Sequence, residues 1–503
     1  MKKRVVTTST ILFFLFISCN TPPAESPSPK AKIFEEYLTH MAELGEFNGN
    51  VLIAEKGEVI YRRSIGQRTA EAGDLLNLGA QFNLASASQP FTAMAIMRLK
   101  EAGKLDYDDP IQKYIPEWPY EGATIRNLLN HTSGIRNAAW LFNIHWKPWL
   151  NPYDPKRIIE GREQMIQMFI NHQPEIYIQP GEEYSHNRAD YVLLSVIVER
   201  ISGIPFHQYM RENVFLPAGM EDTYTFSPLR EDPLTNRAYG IMLALDGSGL
   251  STHDFYYLCP LTGGSGVYST LEDLYRWDRI LYTEQLVSAS TLEKAFTPAV
   301  LNNGDTTTYG FGWSIGETSS GGKRLSHDGY TAGFGIYIMR DLDKENCIII
   351  LTNYDLYLWD GVIQNLRRIM DGQDYELPKQ QSIAKVFGQT VLTQGIEMAG
   401  EQYFELKQNR AGDYSFEVGE LNSLGCALLR FGYSKEALLV FQFNYEEHPE
   451  SGSIVWHRLG RCYLYLGDTQ NALTNFRKAL EIDPDFSPSI EVLAWMKKMK
   501  FID

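Results

Sequence analysis

The sequence predicts a mixed α/β domain followed by an all-α tail. Three observations carry this expectation. Strand signals stand near both ends of the stretch from 34 to 372, with helical signals between them, so the sheet is built from segments far apart in the chain. A set of residues near the end recurs at a fixed offset, as stacked helical units require. Composition is ordinary for a globular protein, with 503 residues, 44% hydrophobic and 21% charged. A net charge of −16 with no Lys/Arg-rich run argues against nucleic-acid binding. Five cysteines in a chain of this length exclude a disulfide scaffold.

The first segment reads as an address. Lys2, Lys3 and Arg4 precede the apolar run Ile11 to Ile17, too short to span a bilayer but suited to a signal-peptide core. Ser18-Cys19 resembles a bacterial lipobox, although Phe16 stands where that motif prefers Leu. Residues 1–18 are therefore expected to be a signal peptide, with Cys19 lipidated. Residues 19–33, with prolines at 22, 23, 27 and 29, are expected to be a tether.

A helix is expected from about Phe34 to Glu46. Strands Val51 to Ala54 and Val59 to Arg62 follow, joined at Glu55-Lys56-Gly57-Glu58. The apolar spacing of Phe91, Met94, Ala95, Met97 and Leu99 gives a helix from Pro90 to Ala102, with Gly103 as its stop. Another runs from about Tyr191 to Ile201 and ends before Gly203. Gly333 to Tyr337 and Cys347 to Leu351 read as strands.

In the tail, Gly432, Ala437, Phe441 and Pro449 recur as Gly467, Ala472, Phe476 and Pro484, each 35 residues on, and Leu424-Gly425 recurs as Leu459-Gly460. The pattern resembles tetratricopeptide repeats over 416–503, with 373–415 as a linker that adds helix. Such repeats either offer a partner groove or form a structural cap. Cys426 and Cys462 read as free thiols in their first helices.

Between these landmarks, Phe82-Asn83-Leu84-Ala85-Ser86-Ala87-Ser88-Gln89-Pro90-Phe91 resembles the nucleophile segment of the serine β-lactamase and penicillin-binding-protein superfamily, on its class C-related branch. Leu128-Leu129-Asn130-His131-Thr132-Ser133-Gly134, Pro217-Ala218-Gly219-Met220, Gly266-Val267-Tyr268-Ser269-Thr270, His327-Asp328-Gly329 and Leu351-Thr352-Asn353 match that branch's further motifs in order. The resemblance covers roughly 34 to 372. It implies an antiparallel sheet flanked by helices, with a helical subdomain. It also implies a Ser nucleophile at Ser86, a Lys three residues later, a Tyr-x-Asn motif, and an oxyanion hole from the N–H groups of Ser86 and Tyr330 beside Gly329.

The chain departs from that pattern at the proton-transfer groups. Gln89 occupies the Lys position, and an amide can hydrogen-bond Ser86 but not accept its proton. Ser320…Lys323 and Ser382…Lys385 share the spacing but lie in the wrong parts of the chain. Anchoring on Pro180-Gly181 and on Tyr191-Val192-Leu193-Leu194 places His186 at the Tyr position and Arg188 at the Asn position; the other register would use Tyr184. Two functions remain. The first is a catalytically degenerate, lipid-anchored envelope protein that binds a peptide or peptidoglycan-like ligand, with a protein partner for the repeats. The second is a serine hydrolase acting on an amide, peptide or ester, with Ser86 as nucleophile and His186 as base, Gln89 and Arg188 orienting and His327 in the third motif. Trp140, Phe142, Trp146, Trp149 and Tyr153 could line a cleft or form a satellite cluster. No cofactor or metal is expected, because no zinc-ligand spacing, phosphate loop or cofactor fingerprint is present.

Overall fold

The computed structural model describes residues 28–498, apart from 139–140, 143–158, 177, 227–234, 244–249, 255–257, 259, 355–358, 378–379 and 431. Cys19, the leader, and Trp140, Trp146, Trp149 and Tyr153 lie outside the described residues.

The first helix, α1 (Pro29–Glu43), begins earlier than expected and takes up the end of the proposed tether. The reason is local. Ser28 caps it, its Oγ accepting the Ala31 N–H at 3.1 Å, and proline fits the first turn. Strands β1 (Gly49–Glu55) and β2 (Glu58–Ile65) form a hairpin. The sheet is completed from far along the chain by β3 (Ser314–Glu317), β4 (Lys323–Thr331), β5 (Phe334–Asp341) and β6 (Asn346–Thr352). The strand order is β2-β1-β6-β5-β4-β3, every neighbour antiparallel.

Both faces of this sheet are covered, which explains its unbroken apolar runs. Leu52, Ile338, Ile349 and Leu351 point into the main core, shared with helices α2 (Gln89–Glu101), α3 (Arg188–Ser202) and α4 (Leu271–Ile280). Val51, Ile53, Tyr337, Met339, Ile348 and Ile350 point the other way, onto α1 and α5 (Trp359–Asp371). The period of two assigns each residue to its side. Phe142 is buried in the main core.

At one end of β4 a buried ion cluster ties strands to α5. Arg324 donates to both oxygens of Asp341, at 2.6 and 3.0 Å, and to Asp371 at 2.8 Å. The three side chains are 5%, 1% and 7% exposed.

Apart from a short parallel pairing of Gln381–Ser382 with Tyr414–Ser415, the tail is helical: α6 (Ile383–Gln394), α7 (Ile396–Asn409), α8 (Val418–Arg430), α9 (Ser434–Glu447), α10 (Ser453–Tyr465), α11 (Thr469–Ile482) and α12 (Ser487–Lys498). The segment 373–415 supplies the expected helix, and that helix packs with the tail. Ile383, Phe387, Ala399 and Tyr403 belong to the same core as Leu424 and Phe441, so α6 and α7 are the tail's first helical pair. The repeated glycines have a packing cause. A Cβ on Gly425 would lie 2.5 Å from the Phe441 ring, and one on Gly460 would lie 2.7 Å from Phe476, so each pair of helices closes over the same Gly–Phe contact. Cys426 and Cys462 are free thiols. The tail meets the α/β domain where Lys385 Nζ donates to Gly45 O at 2.8 Å and pairs with the buried Glu46 carboxylate at 3.6 Å. Burial raises the Glu46 pKa and Lys385 opposes it.

Candidate active site

The Ser86 segment is shaped by its neighbours. Phe82–Asn83 pairs with Val267–Ser269, and the chain then turns at Ala85, which holds φ 47, a left-handed conformation that a Cβ disfavours. Asn83 Oδ1 fixes that turn by accepting the Ala85 N–H at 3.0 Å. A short helical turn, Ala85–Ser88, leads into α2, and Ser88 Oγ accepts the Val267 N–H at 3.0 Å. Ser86 is half-buried among fully buried neighbours, so its hydroxyl reaches the cleft. From the other side β4 passes unusually close. A Cβ on Gly329 would stand 2.3 Å from Leu84 O and 3.1 Å from Ser86 N, so only glycine brings the Gly329–Tyr330 backbone against the Ser86 turn. The Tyr330 ring points out to solvent.

One turn on, Gln89 is fully buried. Its Oε1 lies 3.0 Å from His131 Nε2, 3.1 Å from Tyr309 Oη and 3.2 Å from His327 Nε2, while its Nε2 has no partner. His327 Nδ1–H donates to Asp328 O at 2.6 Å, which leaves the Nε2 lone pair facing the cluster and 2.9 Å from Tyr309 Oη.

Behind Gln89, His131 Nδ1 is 2.9 Å from Asp190 Oδ2, and Ser133 Oγ donates to Asp190 Oδ1 at 2.5 Å. The distance is that of an ion pair, but burial drives both partners toward neutrality: His131 well below its usual pKa, Asp190 well above. The Asn187 N–H, 3.2 Å from the same Nδ1, fits this state. With Nδ1 accepting the Asn187 N–H, His131 Nε2–H points at Gln89 Oε1. The site behind Ser86 is therefore polar and enclosed, and burial disfavours charge in it.

His186 stands at the cleft mouth, its ring centroid 4.5 Å from that of His131 and 6.2 Å from that of His327. The ring is open to solvent, yet protein around it holds its pKa down to about 4, desolvation first and the His327 charge second. Tyr184 is also here, its ring 5.5 Å from Tyr309, with its pKa pushed up to about 12 by burial and then by Asp328. Both sequence registers thus bring their residue to the cleft. Arg188 opens α3 after its cap Asn187. It lines a small hollow with Asn83, Ala85, Phe226 and Thr331, and donates to Leu258 O at 3.4 Å.

Ser86, Gln89, His186, Arg188, His327, Gly329 and Tyr330 therefore gather around one cleft. The sequence offers His131 as part of a motif and does not single out Asp190 or Tyr309. A histidine inside a recognised motif was a usable signal; Tyr309 is brought in by the fold alone. The two rejected lysines are elsewhere: Lys323 Nζ donates to Phe296 O at 3.1 Å, and Lys385 sits at the tail junction. Among the described residues no group of three His, Cys, Asp or Glu side chains is arranged to hold a metal ion.

Comparison with known proteins fits this geometry. Residues 34–369 match the model of the beta-lactamase family, and 453–486 match a tetratricopeptide repeat. The chain is 32% identical over 361 residues to a penicillin-binding protein of Bacillus subtilis (strain 168), covering 70% of this chain and 78% of that one. It is 22% identical over 329 residues to a D-aminopeptidase of Brucella anthropi, covering 64% and 59% respectively. Among solved structures, an octameric penicillin-binding protein homologue from Pyrococcus abyssi superimposes with a TM-score of 0.59 at 26% identity, covering 69% of this chain and 79% of that one.

Proposed function

The chain belongs to the β-lactamase family, and from that premise we propose that it is a catalytically degenerate member whose Ser86 cleft binds a peptide or peptidoglycan-like ligand without efficient acyl transfer. We further propose that Cys19 is lipidated and holds the protein at the bacterial cell envelope. The observation that carries the first reading is the Gln89 cluster. Where the family places a base one turn after the serine, this chain buries an amide among His131, Tyr309 and His327. An amide cannot take the Ser86 proton. Loss of a general base costs about 10²–10⁴ in rate, and groups that act as a unit do not compensate singly. The cradle around Ser86 survives, with its left-handed Ala85 and close Gly329, so the shape needed to hold an acyl group is kept. The names of the relatives point the ligand class toward peptides that contain D-amino acids.

The test is labelling of the mature protein with a fluorescent penicillin and an activated acyl ester. No Ser86-dependent labelling is expected, while saturation-transfer NMR detects binding of N-acetyl-D-alanyl-D-alanine. Rapid labelling lost in Ser86→Ala would reject degeneracy. For the anchor, Cys19→Ala should release the protein from membranes, and retention there would reject lipidation.

A second reading rests on a specific feature, the His327 Nε2 lone pair held inward by the Asp328 carbonyl. It makes the protein a slow serine hydrolase in which a neutral imidazole, His327 or His186, takes the Ser86 proton. Turnover would then need Ser86 and one of these rings, and would survive Gln89→Ala with a loss of only about tenfold, the value of one hydrogen bond.

A further inference from the structure

We propose that Arg188 makes the Ser86 cleft selective for an acidic ligand, a peptide whose residue on the acyl side of the bond lying over Ser86 carries a side-chain carboxylate. The inference rests on the reading of that cleft as a peptide-binding site and adds which peptide it prefers. The starting point is the residue type. In the gap-free register Arg188 takes a position where the related pattern has Asn. An amide offers two donors and an acceptor, whereas a guanidinium is a permanent cation with five donors and no acceptor. The exchange turns a position that suits a neutral peptide group into one that suits an anion.

Packing holds that cation beside the serine. Arg188 is the first residue of α3, behind the cap in which Asn187 Oδ1 accepts the Ala189 N–H at 2.9 Å. The turn at Gly263-Gly264 lies against its stem: a Cβ on Gly264 would stand 2.7 Å from Arg188 Cγ and 2.7 Å from its carbonyl oxygen. A stem held in this way has little rotamer freedom left to lose on binding. The hollow that Arg188 closes is walled by Asn83 and Ala85 from the turn before Ser86, by Tyr268, and by Thr331 at the end of β4. Its volume is about 10 Å³, room for one water-sized group. That admits a single carboxylate oxygen and excludes a ring or an alkyl chain.

The position relative to Tyr330 decides which part of a ligand meets the hollow. His327 and the buried cluster come before Tyr330 on β4, and Thr331 comes after it. In acyl transfer the leaving group sits over the groups that carry protons, because one has to reach it. The acyl side then lies toward Thr331 and Arg188. Charge is distributed to match. Arg188 acts as a positive charge on His186 at the cleft mouth, adding to desolvation and His327 in holding that pKa down, and the exposed Asp328 opposes them. His186 feels both, so the cleft carries an acidic group on β4 and a basic one on α3. Arg237, 5.0 Å from the Tyr268 ring, is matched by Asp254. The net charge of −16 does not cancel the local field, because charges more than about 8 Å away are screened at physiological salt.

The experiment titrates the mature protein with N-acetyl-D-glutamyl-D-alanine and N-acetyl-D-glutaminyl-D-alanine and reads Kd by saturation-transfer NMR. The two probes share their shape and their C-terminal carboxylate, so the ratio of their affinities isolates the side-chain charge. The acid is expected to bind about tenfold more tightly than the amide, the value of one hydrogen bond to a charged group. Arg188→Gln should bring the ratio close to one, Arg188→Lys should keep part of it, and Arg188→Glu should favour N-acetyl-D-lysyl-D-alanine instead. Arg477→Gln, an exposed arginine on α11, should leave the ratio unchanged and so separates local recognition from general charge. The first comparison needs no variant, so a substitution that fails to fold does not blunt the test. Equal binding of acid and amide by the unsubstituted protein, or a ratio that survives Arg188→Gln, would overturn the proposal and leave the peptide cleft standing. Binding of neither probe, nor of N-acetyl-D-alanyl-D-alanine, would overturn the reading of the cleft itself.

Discussion

Strand β4 carries two buried polar clusters of opposite character. At its start, Arg324 binds Asp341 and Asp371 through two-pronged contacts that hold one guanidinium between two carboxylates. Three residues on, His327 faces Gln89, Tyr309 and His131, all buried, with the titrating groups driven to neutral forms and the Gln89 nitrogen unpartnered. The first cluster is complete without any ligand, as a fold-holding contact must be. The second leaves hydrogen-bonding capacity unused behind an accessible serine, as expected where a ligand completes the set.

The largest effect should come from breaking the first cluster. Arg324→Met strands two buried carboxylates and should cost about 3–5 kcal/mol in guanidinium unfolding. A loss under about 1 kcal/mol would show that the pairs are ornamental. Gln89→Met removes one hub of the second cluster and one orphaned donor together. It should cost less, about 1–2 kcal/mol, and a loss equal to that of Arg324→Met would mean that both clusters hold the fold.

A third test uses pH. His186 is held at about 4 when folded, against an ordinary 6.5, so between these values the unfolded chain binds more protons than the folded one. Stability should therefore fall as pH drops from about 6.5 to about 4. The raised pKa of Asp190 gives the opposite slope above the ordinary carboxylate range, which partly cancels the contribution of His131. His186→Phe should flatten the pH dependence of the unfolding midpoint. An unchanged slope would locate the effect in other histidines, His457 first, whose pKa is also lowered to about 4 by burial. The smallest effect is Ala85→Gly. Relief of the left-handed strain at φ 47, offset by the entropy of an extra glycine, should stabilise the chain by less than about 1 kcal/mol.

Much of this was readable beforehand, for physical reasons. The central strands β1, β5 and β6 and helix α2 announce themselves by unbroken or periodic apolar residues, and the repeats by Gly and Phe at matched offsets, because each Gly exists to admit its Phe. Ser86, Gln89 and His327 follow from motif order. Other features depend on contacts between distant segments and leave no local trace. Tyr309 reaches Gln89 across 220 residues, and α6 and α7 join the tail core through scattered apolar positions that resemble a linker. The start of α1 was missed because a proline-rich stretch reads as extended, although proline is tolerated in a helix's first turn.

The junction between the domains has a mechanical consequence. Lys385 reaches Gly45 and Glu46 across 340 residues of sequence. A pull on the tail is therefore shared between this clasp on the end of α1 and the covalent connection from α5, so the tail is held to the α/β domain at two places far apart in sequence.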